Sequence, residues 1–132
     1  MVDLPTLMKE SDYVSLHARA NNCILTKEML NLMKPTAIFL NTARAHMVDY
    51  DALYELLKNK KILGAALDVF PSEPLSIDNP FLTLDNVTLT SHRCGDTVNA
   101  YSDSPAMMME DYTNYLKTNK HRFFVNRVAF EK

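Results

Sequence analysis

The chain has 132 residues, 47% of them hydrophobic, and a formal net charge of −2. That length and composition suit one globular domain, and the near-neutral balance gives no basis for a nucleic-acid or anionic-membrane partner. No apolar run approaches the roughly 20 residues of a membrane span, and Met1-Val2-Asp3-Leu4-Pro5 lacks the basic flank and apolar centre of a secretion signal.

Leu4 to Glu10 reads as a short helix, with Leu4, Leu7 and Met8 at helical spacing. Tyr13 to His17 is a compact strand, apolar on both sides of the backbone. Thr26 is expected to cap a second helix carrying Met29, Leu30 and Met33, which Pro35 ends. Ala37 to Asn41 is too uniformly apolar to have a wet face, as befits a buried parallel strand. Asp49 opens an amphipathic helix whose stripe is Leu53, Leu56 and Leu57, with Lys58, Lys60 and Lys61 suiting its C-terminal end. Ile62 to Phe70 is a strand, Pro71 to Asp85 a proline-rich loop, and Asn86 to Ser91 the last strand. Thr97 to Thr118 forms a long helix with Val98, Tyr101, Met108, Tyr112 and Tyr115 on one side. Pro105 is expected to kink or divide it, and the Met107-Met108-Met109 run to be partly core. Arg122 to Phe130 reads as extended.

The alternation of strands and helices predicts an α/β fold with a parallel sheet wound in right-handed crossovers. About four strands make only half of a doubly wound sheet, and the Tyr13 to His17 edge is of a kind that folds normally cover. Gly64 and Gly95 are the only glycines, so no glycine-rich phosphate loop is present. Cys23 and Cys94 are far apart and lack metal-ligand spacing; they read as free thiols of a reducing cytoplasm, and no metal site is expected.

Arg44, Glu73 and His92 each stand just past an apolar run. If those runs are parallel strands, all three side chains emerge outside the carboxyl ends of the sheet, where open α/β sheets bind their ligands. A guanidinium, a carboxylate and an imidazole gathered there can hold an anionic substrate and move a proton.

These residues lie within longer motifs. Ser15-Leu16-His17, Met33-Lys34-Pro35, Asn41-Thr42-Ala43-Arg44 with Val48-Asp49, Leu67 to Pro74, and Asp85 to His92 follow one another in order. Together they resemble the nucleotide-binding domain of the D-isomer-specific 2-hydroxyacid dehydrogenases, the phosphoglycerate dehydrogenase-like branch above all. The resemblance implies the C-terminal half of a Rossmann-like sheet and hydride transfer between a nicotinamide cofactor (NAD, with NADP left open) and a D-2-hydroxy or 2-keto acid. It implies that Arg44 holds the substrate's carboxylate and carbonyl oxygen, that His92 gives or takes the hydroxyl proton, and that Glu73 orients His92. Asp68 would accept from the nicotinamide carboxamide, and His17, Thr42, Ala43, Arg44, His92 and Gly95 would lie along the cofactor.

By the same resemblance, residues 1–132 are part of an NAD(P)-binding domain, with 97–132 returning toward a substrate domain. The chain would supply one wall of the cofactor crevice and be inactive alone. A homodimer formed through such domains is expected, and a non-catalytic dimerising or regulatory module is the alternative. Departures stand at Ala45 and His46, where the family usually has glycine, and at Arg93 and Cys94 after the histidine. His46 and His121 are read as non-functional.

Overall fold

Short apolar runs separated by helices settle into parallel strands, because each crossover carries the chain back to the same end of the sheet. The computed structural model describes residues 1–122, so nearly all of the expected extended segment from Arg122 to Phe130 lies outside the described residues. The chain divides into two units, Met1–Cys94 and Gly95–Lys132.

In the first unit, β1 (Tyr13–Leu16), β2 (Ile38–Asn41), β3 (Gly64–Leu67) and β4 (Val87–Leu89) form one sheet in sequence order. Every pairing is parallel, and the register sets Leu16 beside Asn41, Asn41 beside Leu67, and Leu67 beside Leu89. Helices α1 (Leu4–Glu10), α2 (Lys27–Leu30) and α3 (Tyr50–Lys58) join them, with α1 packed on α2 and α2 on α3. Their starts follow local chemistry: Asp3 accepts from the Thr6 N–H at 2.8 Å and Asp49 from the Ala52 N–H at 3.0 Å. Thr26 stands at the start of α2, but its hydroxyl donates to Glu28 and caps no backbone group.

The strands are shorter than the apolar runs. Ile62 and Leu63 precede β3 and Asp68 to Phe70 follow it, as approach and exit without a ladder partner on both sides. One face of the sheet, carrying Val14, Leu16, Phe39, Asn41, Ala65 and Leu67, is buried. The other is not. Tyr13 and Ser15 are exposed and Ile38 and Leu40 half-buried, so neither β1 nor β2 is covered on both faces as their composition suggested. β1 pairs with β2 alone, leaving its outer backbone edge unpaired among the described strands.

In the second unit, α4 (Val98–Thr118) is a single helix that includes Pro105. The proline forgoes one amide donor but does not divide the helix, because twenty other residues keep its ladder cooperative. No residue of α4 is buried, so the expected stripe and the three methionines are exposed rather than core.

Gly64 is needed for close approach. A β-carbon there would stand 2.7 Å from the Asn86 carbonyl oxygen, which itself accepts from the Ala65 N–H. Neither strand can yield without losing its pairing. Gly64→Ala is expected to destabilise the protein by about 1–3 kcal/mol, the usual cost of overpacking. Urea denaturation would show this as a lower midpoint, and an unchanged midpoint would mean that β4 shifts freely.

Candidate active site

The register places the ends of β2, β3 and β4 at one level, and the three loops leave the sheet side by side. The β2 loop begins at Asn41, which is fully buried, an unusual place for an amide. Its oxygen accepts from the Ala43 N–H at 3.0 Å, and its nitrogen donates to the Tyr50 hydroxyl at 3.2 Å and the Arg44 carbonyl at 3.4 Å. Tyr50 in turn donates to the Val69 carbonyl at 2.5 Å, tying the β2 loop to the β3 loop. Burial is the main reason the Tyr50 phenol is pushed up to about 12, so it stays a donor across the useful pH range.

Beyond Asn41 the chain turns outward. Arg44 is exposed and its guanidinium donates to the Ala43 carbonyl at 2.7 Å. On the β3 loop, one oxygen of Glu73 accepts from the Phe70 N–H at 2.8 Å and the other meets His92 Nδ1 at 2.8 Å. The bond to His92, helped by the Phe70 amide, holds the Glu73 carboxyl below its ordinary value. His92 follows β4 at φ 56°, a left-handed conformation uncommon for a residue with a side chain.

Two of the cavities on this edge include Arg44. One, of about 390 Å³, is lined by Arg44, His46, Phe70, Pro71, Glu73 and His92. The other, of about 520 Å³, is lined by His17, Arg19, Thr42, Ala43, Arg44 and His46, among others. The three residues singled out from the sequence thus share one cavity, and His17, Thr42 and Ala43 share the next, with Arg44 common to both. Asp68 is buried at the end of β3, and Gly95 is the first residue of the second unit. His46, set aside in the sequence, also lines both cavities; its ring meets the Ala20 carbonyl at 2.9 Å. Its place two residues beyond Arg44 on the same loop was the available signal. Asn41 and Tyr50 were missed as well, although an amide closing an apolar run is itself a mark of a buried polar junction.

Asp68 is 3% exposed. Burial is the largest single influence on its carboxyl and opposes ionisation, but bonds from Thr90, Cys94 and Arg93 together outweigh it and bring the pKa down to about 2. Both Asp68 and Glu73 are therefore more acidic folded than unfolded. A group depressed in this way contributes stability above its unfolded pKa and loses it as pH falls through the folded value. Stability is expected to decline as pH falls from about 4 toward 2, the Asp68 window. Urea melts at stepped pH would show a shallower decline for Asp68→Asn; an identical slope would remove this assignment.

Four parallel strands in one sheet with flanking helices have the Rossmann-like α/β form. A glyoxylate reductase from Paecilomyes thermophila, 24% identical, shares this fold with a TM-score of 0.83 over 94% of this chain and 38% of its own. The family then follows from sequence: residues 1–94 match the D-isomer specific 2-hydroxyacid dehydrogenase NAD binding domain, and the chain belongs to that family. Among its relatives are a glyoxylate reductase of Korarchaeum cryptofilum, 42% identical over 83% of this chain, and a D-3-phosphoglycerate dehydrogenase of Archaeoglobus fulgidus, 39% identical over 99%. The chain spans 34% and 25% of their respective lengths. An acyclic imino acid reductase solved with NADPH and D-Arg is 39% identical, with a TM-score of 0.80 over 88% of this chain and 38% of its own.

Proposed function

We propose that this chain is the catalytic-edge part of an NAD(P)-dependent oxidoreductase acting on a D-2-hydroxy acid or its 2-keto counterpart, 3-phosphoglycerate-like substrates included. The observation that carries this reading is the cavity that Arg44 lines together with the Glu73–His92 pair, held at 2.8 Å. A nicotinamide cofactor supplies the hydride in this chemistry, and Thr42, Ala43 and His17 offer it a wall, with Asp68, Arg44, His92 and Gly95 as further contacts. The fit rests on the open cavity along these loops.

Arg44 carries a permanent charge on a planar fork, which suits a carboxylate and an adjacent carbonyl oxygen. Glu73 on Nδ1 leaves the other ring nitrogen of His92 to meet substrate. In the reducing direction, with hydride supplied by that cofactor, the proton on that nitrogen would pass to the keto oxygen and leave the ring neutral. Glu73 fixes the orientation of the ring before and after transfer.

The same reading holds that the 132-residue stretch alone does not turn over. Gly64 is packed against Asn86, and neither it nor Gly95 belongs to a phosphate-cradling motif. It also includes a cytoplasmic setting, where the exposed thiols of Cys23 and Cys94 stay reduced.

In the complete enzyme, His92→Ala is expected to lower turnover by about 10²–10⁴-fold, the usual worth of a positioned acid or base. Oxidation of NADH or NADPH with glyoxylate or hydroxypyruvate is the assay. Wild-type rates across the pH range would remove His92 from the chemistry.

Association belongs to the proposal too. The unpaired outer edge of β1 is a template for strand addition or for cover by another chain. Sedimentation velocity on the 132-residue chain is expected to show dimers or larger species. A single boundary at the monomer mass of 15.1 kDa would refute it.

A further inference from the structure

Asp68 has a second relation to the site besides lying near it. Its side chain is almost out of water, yet it points at no cation among the partners it shows. One oxygen accepts the Thr90 hydroxyl at 2.5 Å and the Arg93 N–H at 2.9 Å, and the other accepts the Cys94 N–H at 3.0 Å. Thr90 stands two residues before His92, and Arg93 and Cys94 stand one and two after it. The carboxylate therefore grips the chain on both sides of the imidazole.

The backbone confirms how local this grip is. The Thr90 N–H donates to the Leu67 carbonyl at 3.0 Å, continuing the β3–β4 pairing one step beyond β4. Between that last bond and Arg93 the chain must reverse, and His92 takes the left-handed φ of 56° to do so. Such a conformation is strained outside glycine and persists where surroundings over-determine it. Two amides converging on one buried carboxylate provide that over-determination. Charge-assisted bonds of this kind are roughly twice as strong as neutral ones.

We infer that Asp68 is a positioning residue for His92: its carboxylate gathers Thr90, Arg93 and Cys94 into a turn that fixes where the imidazole stands. The catalytic part of this inference rests on the proposed dehydrogenase activity, but the structural part does not.

Two measurements separate them. The first is amide exchange by NMR on the protein without substrate. Asp68→Asn replaces an acceptor with a donor and is expected to speed exchange at Arg93 and Cys94 by about tenfold or more. Leu53 and Leu57, in the core of the same unit, report whether the fold is intact. Thr90→Val, which leaves the carboxylate in place, is the milder variant and should act in the same direction. Unchanged exchange at Arg93 and Cys94 in both variants overturns the inference, whatever the enzyme does.

The second is kinetic, on the complete enzyme. A loosened imidazole predicts that Asp68→Asn lowers kcat by about 10–10²-fold, a fraction of the His92→Ala loss, with little change in the cofactor KM. A raised cofactor KM with unchanged kcat would assign Asp68 to the carboxamide alone and overturn the positioning role. If no 2-keto acid is reduced by the wild type, the activity proposal fails, and exchange alone decides whether Asp68 holds the turn.

Discussion

Parallel register is the constraint on which the site depends. Asn41, Leu67 and Leu89 stand beside one another across three strands, so the loops that follow leave the sheet at a common level. Arg44, Glu73 and His92 come from segments separated by about two dozen residues of chain, yet no long-range search is needed to bring them together once the ladder forms. A slip of one residue in any pairing would turn every side chain of that strand to the opposite face. It would also carry Asn41 or Asp68 out of its polar junction. The apolar face and the chemical edge are thus held by the same register.

Register alone leaves the loops free to splay, and buried polar groups tie them together. Asn41 and Tyr50 link the β2 loop to Val69 on the β3 loop, and Asp68 links the β3 loop to the turn carrying His92, where the exposed Glu73 adds a bond of its own. A buried amide or carboxylate is costly without partners and stabilising only when its geometry is met. Each of these groups therefore penalises arrangements in which its neighbouring loop is displaced. Apolar residues of the same volume would fill the space without that directional demand. Polar junctions beneath an exposed site are a means of making exposed side chains precise.

The sequence made the sheet and the three chemical residues legible because each signal was local. An apolar run followed by a charged residue marks a strand end, and the heptad-like stripe of Leu53, Leu56 and Leu57 marks α3; all three leucines are buried. What stayed hidden depended on neighbours. Strand lengths were overestimated because Ile62, Val69 and Phe70 are buried without being laddered, and burial shapes composition more than hydrogen bonding does. Tyr13 and the α4 methionines look like core residues, but whether an apolar side chain is covered depends on what packs against it. His46 was discounted as a replacement for glycine, and its place between two cavities is a fact of loop geometry that spacing cannot express.

The division of labour among the charges follows from where each sits. Arg44 keeps its charge at any relevant pH, and its exposure costs nothing because a guanidinium needs no burial to stay ionised. In the proposed reaction His92 changes charge, so its partner has to tolerate both states. Glu73 can do so because its second oxygen is held by the Phe70 amide, which keeps the carboxylate ionised and oriented when the imidazole is neutral. A carboxylate bound only to His92 would be free to rotate away each time the ring lost its proton. Asp68 occupies the opposite regime: buried, held by hydroxyl and amide donors and low in pKa, it stays ionised whatever the charge on its neighbours. On the proposed function, one acid accompanies the proton's movement and the other maintains the frame in which it moves.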